Sequence, residues 1–165
     1  MHPNEALIRR FYQHFQDGDA AGMAACYHPE IVFRDPAFGE LRGAEASAMW
    51  AMLLGRARDL EVRCGDAAAD DERGRARWVA RYTFAQTGRP VVNRIRARFR
   101  FRDGLIVSHC DDFSFWRWSR QALGVTGLLL GWTPMLRRRV RAAARQGLVA
   151  YQRRDPASPA TPSQA

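Results

Sequence analysis

The chain opens on an apolar stripe of helical period: Leu7, Ile8, Phe11 and Phe15 recur three or four residues apart. Asn4 is placed to cap this helix. Gly18 stops it, Asp19 caps a second short helix through Tyr27, and Pro29 ends that one. From Glu30 to Asp35 the pattern alternates, with Ile31, Phe33 and Asp35 on one face and Val32 and Arg34 on the other. The stretch from Pro36 to Gly43 reads as a loop. Helical period returns from Ala44 to Ala57, where Ala46, Met49, Trp50, Leu53 and Leu54 form one stripe.

The period then switches to two. Leu60 to Cys64 predicts a short strand, and Arg77 to Gln86 a longer one with Trp78, Ala80, Tyr82 and Phe84 on a single face. The clearest strand runs from Asn93 to Arg102. There Arg94, Arg96, Arg98, Arg100 and Arg102 alternate with Asn93, Ile95, Ala97, Phe99 and Phe101. Strict alternation means one face buried and one wet. Asp103-Gly104 is a strong hairpin turn, so Leu105 to Phe113 returns antiparallel. Phe115 to Leu123 reads as a helix. Thr133 caps a last helix with Pro134 at its first position, and Leu136, Val140, Ala144, Leu148 and Tyr151 give it an apolar stripe. Strands apolar on one face, with helices available to cover them, predict an α+β fold.

At 165 residues the chain fits one domain. The domain is placed at residues 1–154, with a helical extension from about residue 115; the Pro/Ser/Ala-rich segment 155–165 is expected to be disordered. The net charge is +9, and every basic residue is arginine. Total absence of lysine looks like coding bias, so nucleic-acid binding is not favoured. The bland reading of the arginine strand is a solvated face; the functional readings are an acidic partner, anionic lipid or nucleic acid. Cys26, Cys64 and Cys110 have no metal-ligand spacing and read as reduced thiols. No targeting segment is recognised at the N-terminus, and a cytoplasmic location is expected. Gln121 to Leu136 is apolar but shorter than a spanning helix needs, about 20 residues. It reads as buried or surface-docking turns, with contact at a membrane surface the less favoured alternative.

The stretch LIRRFYQHFQDGDAAGMAACYHPEIVFRDPAFGELRG, from Leu7 to Gly43, resembles the first third of ketosteroid isomerase and SnoaL-like proteins of the nuclear transport factor 2-like superfamily. The hairpin ARFRFRDGLIVSHCDDF resembles the family's last two strands. The resemblance implies a curved antiparallel sheet wrapped around the N-terminal helices as a cone, a mostly apolar pocket inside it for a small organic ligand, and a homodimer. It also makes Asp35 the counterpart of the general base of ketosteroid isomerase. The two oxyanion donors of that enzyme, a Tyr and a protonated Asp, correspond to Phe11 and Ala97 here, so its own reaction is not expected.

Strand parity puts Leu105, Val107, His109, Asp111 and Phe113 on the pocket face, with Asp35 opposite. The catalytic candidates are Asp35, His109 and Asp111. A carboxylate beside an imidazole orients the ring, and either group can act as a base near neutral pH. Asp111 is the alternative partner for His109. The ligand-binding candidates are Tyr12, Phe15, Phe33, Trp50, Trp78, Tyr82, Phe99, Phe113 and Trp116, each of which also reads as core. No Gly-rich phosphate loop or metal-ligand set is present, so neither an organic cofactor nor a metal is expected. The expected activity is a cofactor-independent isomerase, cyclase or hydrolase using Asp35 as base. The alternative is a non-catalytic module of the same fold that binds a small molecule or a protein.

Overall fold

A computed structural model describes residues 1–154; the segment 155–165, expected to be disordered, lies outside the described residues. The first helix, α1 (Pro3–Gln16), starts one residue before Asn4, because Pro3 takes the first turn and the His2 ring accepts the Asn4 N–H at 3.1 Å. Gly18 turns the chain with a positive φ of 71°. Asp19 then caps α2 (Ala20–Ala25) by accepting the Gly22 N–H at 2.8 Å. The second helix ends short of Tyr27, which already belongs to β1 (Tyr27–Asp35). Pro29 sits inside that strand, where pairing lapses between Tyr27 and Val32 and no ladder N–H is needed.

The predicted loop contains a short edge strand, β2 (Gly39–Arg42), antiparallel to β1. After α3 (Ala44–Arg56) come β3 (Glu61–Ala69), β4 (Arg73–Phe84), β5 (Arg89–Arg102) and β6 (Leu105–Asp112). The six strands form one open sheet in the order β2-β1-β6-β5-β4-β3. Its pairs are antiparallel except β1 with β6, which run parallel, so the sheet is mixed where a fully antiparallel one was expected. Asp103 and Gly104 turn the β5–β6 hairpin with φ of 53° and 73°, as a tight two-residue turn requires.

One face of the sheet packs on α1, α2 and α3 around Ile8, Phe11, Tyr12, Phe33, Met49 and Trp50. Beyond the sheet lie α4 (Phe115–Leu123), α5 (Val125–Leu130) and α6 (Pro134–Arg154). The predicted stripe of α6 is used: Ala144, Leu148 and Tyr151 reach the main core, while Leu136 and Val140 meet a smaller cluster of Val91, Phe115, Trp118 and Ala122.

The other face carries the arginines. The register sets Arg73, Arg75 and Arg77 of β4 directly opposite Arg100, Arg98 and Arg96 of β5. Like charges opposed across strands are destabilising. Arg96 is relieved by Asp112 at 3.6 Å, and Arg102 by Glu30. Arg98→Glu places a carboxylate against Arg75 and is expected to stabilise the fold by about 0.5–1 kcal/mol in low salt. Urea denaturation should show the gain shrinking as salt screens the pair. No gain at low salt would mean the arginine heads already avoid one another.

Candidate functional site

His109 lies at the bottom of the inner face with 0% of its surface exposed. Phe11, Phe33, Trp50 and Phe99 surround its ring with centroid separations of 4.5–6.0 Å. Such a site tolerates an imidazole only if both ring nitrogens are paired. Nδ1 lies 2.7 Å from the Tyr27 hydroxyl, and Nε2 lies 3.0 Å from Asp111 Oδ1. Trp50 Nε1 donates to the Tyr27 oxygen at 2.8 Å, and Trp78 Nε1 donates to Asp111 Oδ1 at 3.3 Å. Donors and acceptors balance when the ring carries its proton on Nε2: Trp50 donates to Tyr27, Tyr27 to His109, and His109 to Asp111.

Asp35 does not join that chain. The proposed contact between Asp35 and His109 is replaced by the His109–Asp111 pair, because the parallel register sets Phe33 beside His109. Two residues further along both strands, the same face carries Asp35 beside Asp111. The like charge of Asp111 acts on Asp35, but burial is the larger cause, and together they push the Asp35 carboxyl up to about 7. Working against them are the Phe38 N–H, which donates to Asp35 Oδ1 at 2.5 Å, and the positive charge of Arg141.

The last helix contributes to this burial. Arg141 donates to the Pro36 carbonyl at 3.5 Å, and Arg145 to the Phe38 and Glu40 carbonyls at 3.3 and 3.2 Å. These contacts hold α6 across the β1–β2 turn that follows Asp35. Tyr82 points toward the same region. Its hydroxyl accepts the Trp118 N–H at 2.8 Å, and its ionisation is pushed up by burial first and by the Asp35 charge as well.

Tyr12 is 1% exposed, and its hydroxyl has no hydrogen-bond partner among the described residues. Burial and the Asp111 charge raise its ionisation well above the usual tyrosine range, so it is a proton-bearing donor. Phe15, Phe33, Trp50, Trp78 and Phe99 belong to the buried core. Phe113 bridges the main core and the smaller cluster. Trp116 does not line the interior: its N–H donates to the Leu128 carbonyl at 3.2 Å, on the α5 side, and Trp118 is the α4 tryptophan that turns inward. Leu105 and Val107 are also corrected. An extra residue in β6 between Ile106 and Ser108 shifts the register, so Ile106 points inward while His109 and Asp111 keep their places.

Sequence reading missed Tyr27, whose role needs the spatial neighbours Trp50 and His109. Its signal was available in the helix–strand boundary, which falls before Pro29. Among the described residues no cluster of His, Cys, Asp or Glu could hold a metal ion.

The sequence profile described as a SnoaL-like domain matches residues 8–109. Among curated proteins, none matches. Solved structures share the fold at low identity. A nuclear transport factor 2-like protein of unknown function from Burkholderia pseudomallei is 19% identical over 74% of this chain and 98% of its own, with a TM-score of 0.63. An LEH-like epoxide hydrolase of M. tuberculosis is 18% identical over 78% and 96%, with a TM-score of 0.62. A protein with a ketosteroid isomerase-like fold from Catenulispora acidiphila, solved with trimethylamine, is 17% identical over 78% and 97%, with a TM-score of 0.64.

Proposed function

The chain belongs to the SnoaL-like domain family, and from that premise we propose that it is a cofactor-independent acid–base enzyme for a small, largely apolar molecule bearing a carbonyl or epoxide oxygen. The observation that carries this reading is Asp35, a carboxyl on the inner face whose ionisation is moved to about 7 beside a second carboxylate. Near neutral pH such a group populates both forms, so it can take a proton and return it. Asp111 is held by two N–H donors and keeps its place while Asp35 exchanges its proton.

In this mechanism Asp35 removes a proton beside a carbonyl, or from a water that adds to the substrate. The Tyr12 and Tyr82 hydroxyls donate to the oxygen that gains charge. The donor positions of ketosteroid isomerase are Phe11 and Ala97 here, so these two tyrosines are the donors available. The aromatic interior supplies the apolar walls and excludes water. An epoxide hydrolase and a trimethylamine complex among the structural neighbours fit a small-molecule cone.

The test is a thermal-shift and turnover screen of polycyclic and terpenoid carbonyls and epoxides. Wild type, Asp35→Asn and Tyr12→Phe are compared. A ligand should stabilise wild type and Asp35→Asn alike, while Asp35→Asn loses turnover by roughly 10²–10⁴-fold. Tyr12→Phe should bind the ligand more weakly. Turnover untouched by Asp35→Asn would overturn the base assignment, and binding without turnover would favour the non-catalytic module.

A further inference from the structure

The fifth helix packs the wrong way round for a core helix. Gly127 and the C-cap residue Gly131 face the protein, and the leucines face outward. A Cβ on Gly127 would lie 1.9 Å from the Ser119 carbonyl oxygen, and one on Gly131 would lie 2.1 Å from Ser119 Oγ, so this contact with α4 admits only glycine. Val125, Leu128, Leu129, Leu130, Trp132 and Met135 are left exposed, Leu129 at 61% and Trp132 at 72%. Scattered apolar residues need no explanation, but a contiguous cluster of this kind marks a contact surface.

Two further features point to the medium that covers it. The last carbonyls of a helix have no partner within it and need water or another donor. Here Leu128 O accepts from Trp116 Nε1, Leu129 O from Trp132 Nε1, and Leu130 O from the Thr133 N–H and hydroxyl. The tip, its exposed indole included, can therefore leave water without stranding these groups, as entry into an apolar layer demands. The flanking sequence is cationic: every charged side chain from Arg117 to Arg154 is an arginine. Arg120 lies over Trp116 at 4.8 Å and Arg137 over Phe115 at 5.4 Å, which sets positive heads around the apolar tip.

We propose that the α5 tip and its arginine rim dock the protein on an anionic lipid surface. Val125, Leu129, Trp132 and Met135 enter the headgroup–acyl boundary, and the arginines meet lipid phosphates. Among the described residues no helix is long and apolar enough to cross a membrane, so the contact is peripheral. A second copy on this face would set arginine against arginine, which charge complementarity disfavours.

The full chain is sedimented with phosphatidylcholine vesicles and with vesicles carrying phosphatidylglycerol. Wild type should pellet with the anionic vesicles and release at high salt. Leu129→Ser with Trp132→Ser, at exposed positions that leave the fold intact, should abolish pelleting. Arg120→Gln with Arg138→Gln and Arg139→Gln should weaken it on the order of 100-fold. The proposal is overturned if wild type stays in solution with anionic vesicles, or if the Leu129/Trp132 variant pellets equally well. It is also overturned if, without lipid, the chain forms a dimer that the Leu129/Trp132 variant dissolves.

Discussion

Asp111→Ala is expected to lower the unfolding free energy by about 3–5 kcal/mol, while Asp111→Asn costs well under half of that. Alanine leaves His109 Nε2–H and Trp78 Nε1–H without an acceptor where His109 is fully enclosed. Removing one partner of a buried pair is costly because the other stays desolvated and unpaired. Asparagine keeps an oxygen near the same point and forfeits only the charge. Urea denaturation of both variants at neutral pH separates the cases. Equal losses would show that the carboxylate charge, rather than its acceptor geometry, holds the chain of hydrogen bonds together.

Asp35→Asn should stabilise the protein, and by more at high pH. The folded carboxyl ionises at about 7, above its ordinary unfolded value. Between those values the folded state holds a proton that the unfolded state has lost, so stability falls as pH rises through the window. The penalty is complete once pH passes the folded value. Asparagine can still accept the Phe38 N–H that shapes the turn, and it carries no charge to bury. The stabilisation by Asp35→Asn should therefore grow by about 2–3 kcal/mol between pH 5 and pH 8. Denaturant titrations at the two pH values check this, and an equal gain at both would show that Asp35 ionises in the ordinary range.

The two predictions meet at one electrostatic contact. Asp111 raises the Asp35 ionisation by like-charge repulsion, so Asp111→Asn also narrows the pH window over which Asp35 weakens the fold. A substitution made for its effect on the histidine thus alters the neighbouring acid.

The alternating arginine strand and the Asp-Gly turn were legible because period two and a positive-φ turn leave direct marks in sequence. So were the α1 stripe and the Thr133–Pro134 start of α6. The short edge strand β2 was not, since Gly39–Arg42 is too brief to show a period. The inward places of His109 and Asp111 were read correctly, yet Leu105 and Val107 were not, because one extra residue shifts parity along half the strand. The His109–Asp111 pair was legible only as the alternative to Asp35–His109. The choice between them depends on the parallel register of β1 and β6, which no local pattern encodes. The outward leucines of α5 were hidden for another reason: a glycine face looks like a helix breaker in sequence, and only packing reveals it as a contact surface.

That parallel register has a cost in chain entropy. Every other strand pair in the sheet joins consecutive strands, whereas β1 and β6 meet across all the chain between residues 35 and 111. Closing the longer loop loses more configurational freedom, which only the completed core repays. Asp35 and Asp111 sit on the two sides of this seam. The part of the Asp35 shift that comes from Asp111 therefore belongs to the assembled domain and to no hairpin within it, and a fluctuation that parts the seam removes it.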